Sequence, residues 1–193
     1  MSSAAGSWLG LGLWSRRAAR QANTVRQHTA KLGTIATTNL HDVDCKSGEY
    51  LSDGTRLFHD GDQQPPRMSK SDSGKLTLRT QEFDGSYVSV VAELDPANAK
   101  RIGVGTDLVI HLEAEATPAI PAFIRAHFSN EEGREVLHDL IVVAAGPRHV
   151  RFNLDGLRIP IDLATIAWVD VIFSDPAGTE LIFTQLTAEI AEQ

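Results

Sequence analysis

The segment at residues 106–117, TDLVIHLEAEAT, decides the fold more clearly than any other part of this sequence. Successive side chains of a β-strand point to opposite faces, so strict alternation of apolar and polar residues predicts a half-buried strand. Polar His111, Glu113 and Glu115 share one side of this segment. The other side carries Leu108, Ile110, Leu112, Ala114 and Ala116. We therefore predict one long strand with a buried face.

Shorter segments of similar character flank this strand and are separated by turn residues. Asp84-Gly85 is a dipeptide typical of hairpins, and we expect residues 167–190 to form a closing hairpin. If residues 117–121 form a hairpin turn, Glu113 faces Arg125 and His111 faces His127. Further strands are predicted at residues 55–59, 75–83, 86–94, 122–129, 134–143, 149–154, 167–173 and 180–190.

This pattern predicts a mainly β fold: an antiparallel, jelly-roll-like, two-sheet sandwich of about eight to nine strands. The sandwich domain is expected over residues 75–193. Residues 34–74 are predicted to be an irregular, turn-rich connecting segment that ends in a mobile surface loop at 61–74. Residues 1–33 are predicted to form a basic N-terminal arm, helical over residues 8–32, that precedes the sandwich.

The charge distribution limits the classes of partner. The first 41 residues carry five basic and no acidic side chains, whereas the remainder carry 13 basic and 25 acidic ones. An acidic body repels nucleic acid, so we predict no nucleic-acid partner. No run approaches the roughly 18 apolar residues of a membrane span. We expect a cytoplasmic protein, with weak membrane-surface contact through residues 8–32 as an alternative role for the arm.

Two groups of residues are candidates for a ligand site. His111, Glu113 and Glu115 share one strand face, and acidic residues in such alternation are used by jelly-roll glycosidases. A charged, solvated strand face explains the same residues without catalysis. Trp168 and Tyr87 are candidate aromatic platforms for a sugar ring, or else core residues beneath loops.

Cofactor and nucleophile chemistry finds little support in the sequence. Residues 41–62 contain several Asp and His residues and the single cysteine, but their spacing matches no standard zinc pattern. Asp-Gly pairs in this stretch are typical of turns, although an oxygen-rich calcium site is an alternative. Cys45 lacks a histidine positioned to activate it. We predict no metal, no cofactor and no catalytic residue.

Four patches of the sequence resemble an uncharacterised family. They are residues 57–60 (LFHD), 76–79 (LTLR), 83–90 (FDGSYVSV) and 168–173 (WVDVIF), followed by Pro176. They are similar to an alphaproteobacterial, Rhodobacter-like domain family of unknown function with a jelly-roll-like β-sandwich. The resemblance implies a bacterial protein and this fold, and it implies no activity.

The sequence therefore favours a non-catalytic β-sandwich module that binds a glycan-like ligand or a protein partner. A membrane-proximal assembly protein that uses the basic N-terminal helix is the alternative. A glycosidase-like enzyme is the third hypothesis.

Overall fold

The fold is a sandwich of two antiparallel β-sheets. In the computed structural model, the described residues are 28–30, 42–52, 54–71, 75–94, 105–130, 133–155, 157 and 166–192. Within them lie β1 (His28–Ala30), β2 (Val43–Asp44), β3 (Glu49–Ser52), β4 (Thr55–His59), β5 (Arg67–Lys70), β6 (Leu76–Arg79), β7 (Tyr87–Glu93), β8 (Thr106–Thr117), β9 (Ile120–Asn130), β10 (Gly133–Val143), β11 (Pro147–Asn153), β12 (Ile166–Ser174) and β13 (Glu180–Glu192).

The strands divide into two sheets. Sheet A has the order β11-β8-β13-β6-β5-β2. Its seventh strand, β1, lies outside this order and pairs with β13. Sheet B has the order β10-β9-β12-β7-β4-β3. The mainly β, two-sheet antiparallel prediction is confirmed, although the described residues hold thirteen strands where about eight to nine are predicted.

The core lies between the sheets and is built by the alternation seen in the sequence. Leu108, Ile110 and Leu112 of β8 are fully buried, as the pattern predicts. Phe173 of β12 and Phe183 of β13 meet edge to face across the two sheets, with ring centroids 5.5 Å apart. Burial of such aromatic and aliphatic side chains is the main force that holds the two sheets together.

Three predicted hairpins are wrong because the chain crosses between sheets. The Asp84-Gly85 turn joins β6 of sheet A to β7 of sheet B, and the turn before Glu180 joins β12 of sheet B to β13 of sheet A. Pro118 and Ala119 likewise join β8 of sheet A to β9 of sheet B. Glu113 therefore does not face Arg125. The sequence of a polar turn is similar whether the turn closes a hairpin within one sheet or carries the chain to the second sheet.

The N-terminal half of the sandwich is more ordered than its composition indicates. Strands β2 to β5 lie within residues 34–74, where only residues 55–59 are predicted to be a strand. β5 occupies Arg67–Lys70, so the predicted surface loop over residues 61–74 contains a strand paired with β6. These strands were missed because β2, β3 and β5 have four residues or fewer, too short to show a period.

The predicted helix over residues 8–32 is wrong at its end. His28–Ala30 is strand β1, paired with β13 through residues 188–190. The remainder of the predicted helix lies outside the described residues. In the part of the chain that the structure describes, no helix has the length and hydropathy needed to cross a membrane.

Candidate functional site

The structure places the predicted site residues on opposite surfaces of the sandwich. Tyr87 and Trp168 belong to β7 and β12, on the outer face of sheet B. His111, Glu113 and Glu115 belong to β8, on the outer face of sheet A. The two groups of candidates therefore cannot contact one compact ligand at the same time. Each face has to be judged by its own geometry.

The outer face of sheet B carries an open depression of about 430 Å³. Four neighbouring strands contribute to it, because residues at alternate positions of β4, β7, β9 and β12 point away from the core. Its lining residues are Phe58, Tyr87, Ser89, Val91, Arg125, Asp170 and Ile172. The depression thus combines apolar walls with a few polar groups, which is the usual composition of a small-ligand site.

Ser89 lies in the middle of this depression. Its register partners are Phe58 in β4 and Ile172 in β12, so apolar side chains flank it on both sides. Ser89 is only 4% exposed, and among the described residues its hydroxyl has no hydrogen-bond partner. Its hydroxyl oxygen lies beneath the surface of the depression, and a buried hydroxyl without a partner costs free energy.

Arg125 and Asp170 form a two-pronged ion pair at one side of the depression. Arg125 Nε lies 3.0 Å from Asp170 Oδ1, and Nη2 lies 2.5 Å from Oδ2. The Asp170 side chain is 5% exposed and that of Arg125 is 39% exposed. Burial acts to raise the pKa of Asp170, but contacts with His127 and Arg125 outweigh it and hold that pKa below its ordinary value. The contact leaves Arg125 Nη1 for a ligand.

His127 connects this ion pair to Trp168. The two rings are nearly parallel, with an angle of 13° and centroids 4.7 Å apart. Arg134 Nη2 lies 2.9 Å from His127 Nδ1, and a guanidinium can only donate, so Nδ1 accepts. Neutral His127 therefore carries its proton on Nε2, which faces Asp170 Oδ1 at 3.4 Å, a long electrostatic contact. His127 therefore lies between the ring of Trp168, one face of which it covers, and the carboxylate of Asp170.

Tyr87 is positioned by a pair of interlocked loops. Asp60 accepts hydrogen bonds from the Ser86 and Tyr87 backbone amides and from the Ser86 hydroxyl. Burial acts to raise the pKa of Asp60, but these hydrogen bonds together outweigh it and hold that pKa below its ordinary value. The Asp84 carboxylate, in the loop before β7, in turn accepts hydrogen bonds from the backbone amides of Asp62 and Gln63 in the loop after β4. The start of β7 is thereby fixed relative to β4.

An apolar row continues from the depression to the edge of sheet B. Register partners in adjacent strands connect Phe58, Ser89, Ile172, Phe123 and Leu140 across β4, β7, β12, β9 and β10. With strands about 4.8 Å apart, the row spans roughly 19 Å. Phe123 is 37% exposed and Leu140 is 56% exposed. The face is therefore long enough to contact an extended ligand that lies across the strands.

On sheet A, the predicted acidic candidates project to solvent. Glu113 and Glu115 are exposed, and Glu113 has Pro147 and Gln185 as its register partners. His111 faces His149 of β11 and Thr187 of β13. Two exposed carboxylates on one strand face are typical of a solvated surface.

The cysteine-bearing segment offers no nucleophile. Cys45 is buried, and burial, reinforced by nearby Glu49 and Asp44, raises the pKa of its thiol to about 12. His59 contacts the backbone oxygen of Cys45 and not its sulfur. Over the residues that the structure describes, no group of three or more His, Cys, Asp or Glu side chains could hold a metal ion.

Most of the residues in the depression were not among those predicted from the sequence. Phe58, Ser89, Arg125, Asp170 and Ile172 join Tyr87 there. One signal was available: Arg125 and Asp170 each place a charge in the middle of an otherwise apolar strand. Such a charge is costly unless it is paired, so two of them indicate a cross-strand ion pair. Their register could not be known before the order of strands in the sheet.

The stability of the protein is expected to fall in acid partly because of Asp170. Its pKa is lower in the folded protein than the value near 4 of an unfolded aspartate. The contribution of ionised Asp170 to the free energy of unfolding is therefore fully present above the unfolded pKa near 4. This contribution is lost as the pH falls through the pKa of Asp170 in the folded protein. Urea unfolding between pH 7 and pH 2.5 should show a smaller decline for Asp170→Asn than for the wild type. If the free energy of unfolding declines equally with falling pH in the wild type and in Asp170→Asn, this role for Asp170 is contradicted.

These features define a β-sandwich with an open, ligand-sized depression on one sheet face. The chain belongs to the family of unknown function DUF6478, whose model matches residues 14–190. None of the curated proteins matches the sequence at a significant level.

Solved structures resemble this protein in fold. The Stig cyclase Fisc from Fischerella sp. TAU has a TM-score of 0.51 at 11% identity, over 87% of this chain and 97% of that one. A family 29 carbohydrate-binding module from Piromyces equi has a TM-score of 0.43 at 13% identity, over 78% and 88%. Tailspike protein 4 of bacteriophage CBA120 gives 0.47 at 10% identity over 71% of this chain, which spans 19% of that protein.

Proposed function

We propose that this protein is a non-catalytic binding module that recognises a glycan-like ligand on the outer face of sheet B. The observation that carries the proposal is the open depression of about 430 Å³, in which Phe58, Tyr87 and Ile172 lie beside the ion pair of Arg125 and Asp170. A ligand with both apolar faces and hydroxyl groups matches such a surface.

The chemistry of the depression supports a sugar-like ligand. Phe58 and Tyr87 are half-buried aromatic side chains, and such rings pack well against the C–H faces of a pyranose. The remaining donors of Arg125 supply hydrogen bonds to hydroxyl groups of the ligand. Because Asp170 already neutralises Arg125, the site favours an uncharged ligand over an anionic one.

The length of the apolar row supports an oligomeric ligand. A row of roughly 19 Å is longer than a monosaccharide and suits a short oligosaccharide lying across the strands. Affinity is therefore expected to rise with chain length until the row is covered, because each added unit buries more of Phe123 and Leu140.

A protein partner is the second candidate, and one observation favours it. Exposed apolar side chains concentrate at the β10 side of sheet B, where Val136, Leu140 and Val142 are 37%, 56% and 59% exposed. Contiguous apolar surface of this kind marks interaction sites. Binding of a protein there would be weakened by Leu140→Ser and Val142→Ser and left unchanged by substitution of Tyr87.

Substitution of the aromatic lining residues tests the glycan proposal. After selection of ligands on a glycan array, Tyr87→Ala and Phe58→Ala should each weaken binding by about tenfold or more, as loss of a central aromatic contact does. Isothermal titration calorimetry gives the affinities. Glu115→Gln on sheet A is the control and should bind like the wild type.

Two results would count against the proposal. One is a uniformly flat response to common polysaccharides and their oligosaccharides. The other is a glycan that binds with the same affinity to the wild type and to both aromatic variants. The basic N-terminal arm stays a separate prediction, tested by sedimentation with acidic liposomes.

A further inference from the structure

The outer face of sheet A carries two histidines that meet across neighbouring strands. His111 of β8 and His149 of β11 are register partners, and their Nδ1 atoms lie 2.6 Å apart. Their rings are almost perpendicular, at 79°, with centroids 4.7 Å apart. His149 is exposed and His111 is partly exposed. Two ring nitrogens therefore converge on one point that solvent can reach.

Two imidazole nitrogens this close cannot both present a lone pair, so either a proton or a metal ion has to lie between them. Each neutral ring has one N–H and one lone pair, and two facing lone pairs repel at this distance. The gap is filled either by a proton on one ring or by a metal ion. We infer that His111 and His149 form a binding site for a divalent transition-metal ion such as Zn²⁺, Ni²⁺ or Cu²⁺, with water as the remaining ligands.

The geometry needs only a small adjustment to hold the ion. At a Zn–N distance of about 2.0–2.1 Å and a tetrahedral angle, the two nitrogens lie about 3.3 Å apart. The rings must therefore separate by about 0.7 Å from their present contact, which a small rotation about exposed side-chain bonds provides. Imidazole is a good ligand for all three metals, whereas Mg²⁺ and Ca²⁺ prefer oxygen.

The charges around the pair favour a cation. Glu113 and Glu115 follow His111 on the same exposed face, and Glu113 faces Pro147, whose side chain donates no hydrogen bond. Arg151, two residues beyond His149, has its charge offset by Asp107, with the guanidinium and carboxylate 3.0 Å apart. The local field is thus negative. Because the described residues provide no third ligand, the site is open and exchangeable.

A bound ion has a structural consequence. β11 is the edge strand of sheet A and has β8 as its neighbour in that sheet. An ion held by one histidine from each strand cross-links the edge to the sheet and opposes its local opening. This site lies on the face opposite the depression of sheet B, so it is independent of the proposed glycan function.

The inference is tested with the full chain after removal of metal by EDTA and dialysis. Titration calorimetry with ZnCl₂ and NiCl₂ should show one equivalent bound. His111→Ala and His149→Ala should each lower the affinity by at least about tenfold, since even outer-shell changes at metal sites cost that much. His138→Ala removes an exposed histidine of sheet B and serves as the control, with unchanged affinity.

Hydrogen exchange supplies a second measurement. Backbone amides of β11 should exchange more slowly in the presence of Zn²⁺, and this protection should be absent in His149→Ala. The inference is overturned if no metal binds, if binding survives both histidine substitutions on sheet A, or if only His138→Ala abolishes it.

Discussion

Replacing Gly85 by alanine is expected to destabilise the protein by about 3 kcal/mol, the upper range for overpacking at a tightly packed position. A Cβ atom at Gly85 would lie 2.5 Å from the backbone nitrogen of Gly61 and closer still to the Asp60 carboxylate. The backbone of Gly61 cannot move aside without breaking the hydrogen bonds between the loops before β5 and β7. Urea unfolding monitored by tryptophan fluorescence measures the loss.

Gly133→Ala is the matched control for Gly85→Ala. A Cβ at Gly133 would have no atom within 4 Å among those that the structure describes. Its backbone is also outside the left-handed region, so alanine should change stability by no more than about 0.5 kcal/mol. Equal stabilities of Gly85→Ala and Gly133→Ala would show that the two loops do not approach as closely as the structure indicates.

The second large effect is expected from Arg125→Leu. This substitution leaves the Asp170 carboxylate buried without its main counter-charge. Breaking a buried ion pair from one side costs about 3–5 kcal/mol, and the partial exposure of Arg125 places the expected loss near 3 kcal/mol. The free energy of unfolding from urea titration at pH 7 measures it.

The double variant Arg125→Leu/Asp170→Val distinguishes the loss of a charge partner from the loss of packing. Removing both charges takes away the unpaired carboxylate, so the double variant should recover much of the stability lost in Arg125→Leu. If the double variant is less stable than Arg125→Leu, the cost arises from packing. The assignment of Asp170 as a charge held by Arg125 would then be wrong.

Much of the fold could be predicted from local patterns. The Thr106–Thr117 and Thr55–His59 strands have the predicted ends, because alternation of burial was regular and the flanking residues were turn formers. β9 and β10, which follow each other in the chain, are paired neighbours. These features depend on residues that are close in the sequence, where the period of two is a direct consequence of strand geometry.

The site could not be predicted to the same extent, because it depends on which strands are neighbours. Asp170 contacts Arg125 because β12 lies between β7 and β9, although 45 residues separate the two in the chain. Tyr87 and His111 were both predicted as ligand-site residues, but only the strand order shows that they lie on opposite surfaces of the sandwich. Turns that cross between sheets and turns that close hairpins share the same Gly, Pro and Asp residues, so composition alone could not separate them.

The most direct test of the binding face is a map of backbone amide chemical shifts during titration. The ¹⁵N-labelled protein would be titrated with hexasaccharides from cellulose, xylan, mannan and galactan. The structure and the proposed function together predict that a bound hexasaccharide shifts amides of β4, β7, β9 and β12 around Ser89, and that the shifts extend toward Leu140. Shifts confined to β8 and β11 on sheet A would contradict the assignment of sheet B as the ligand face.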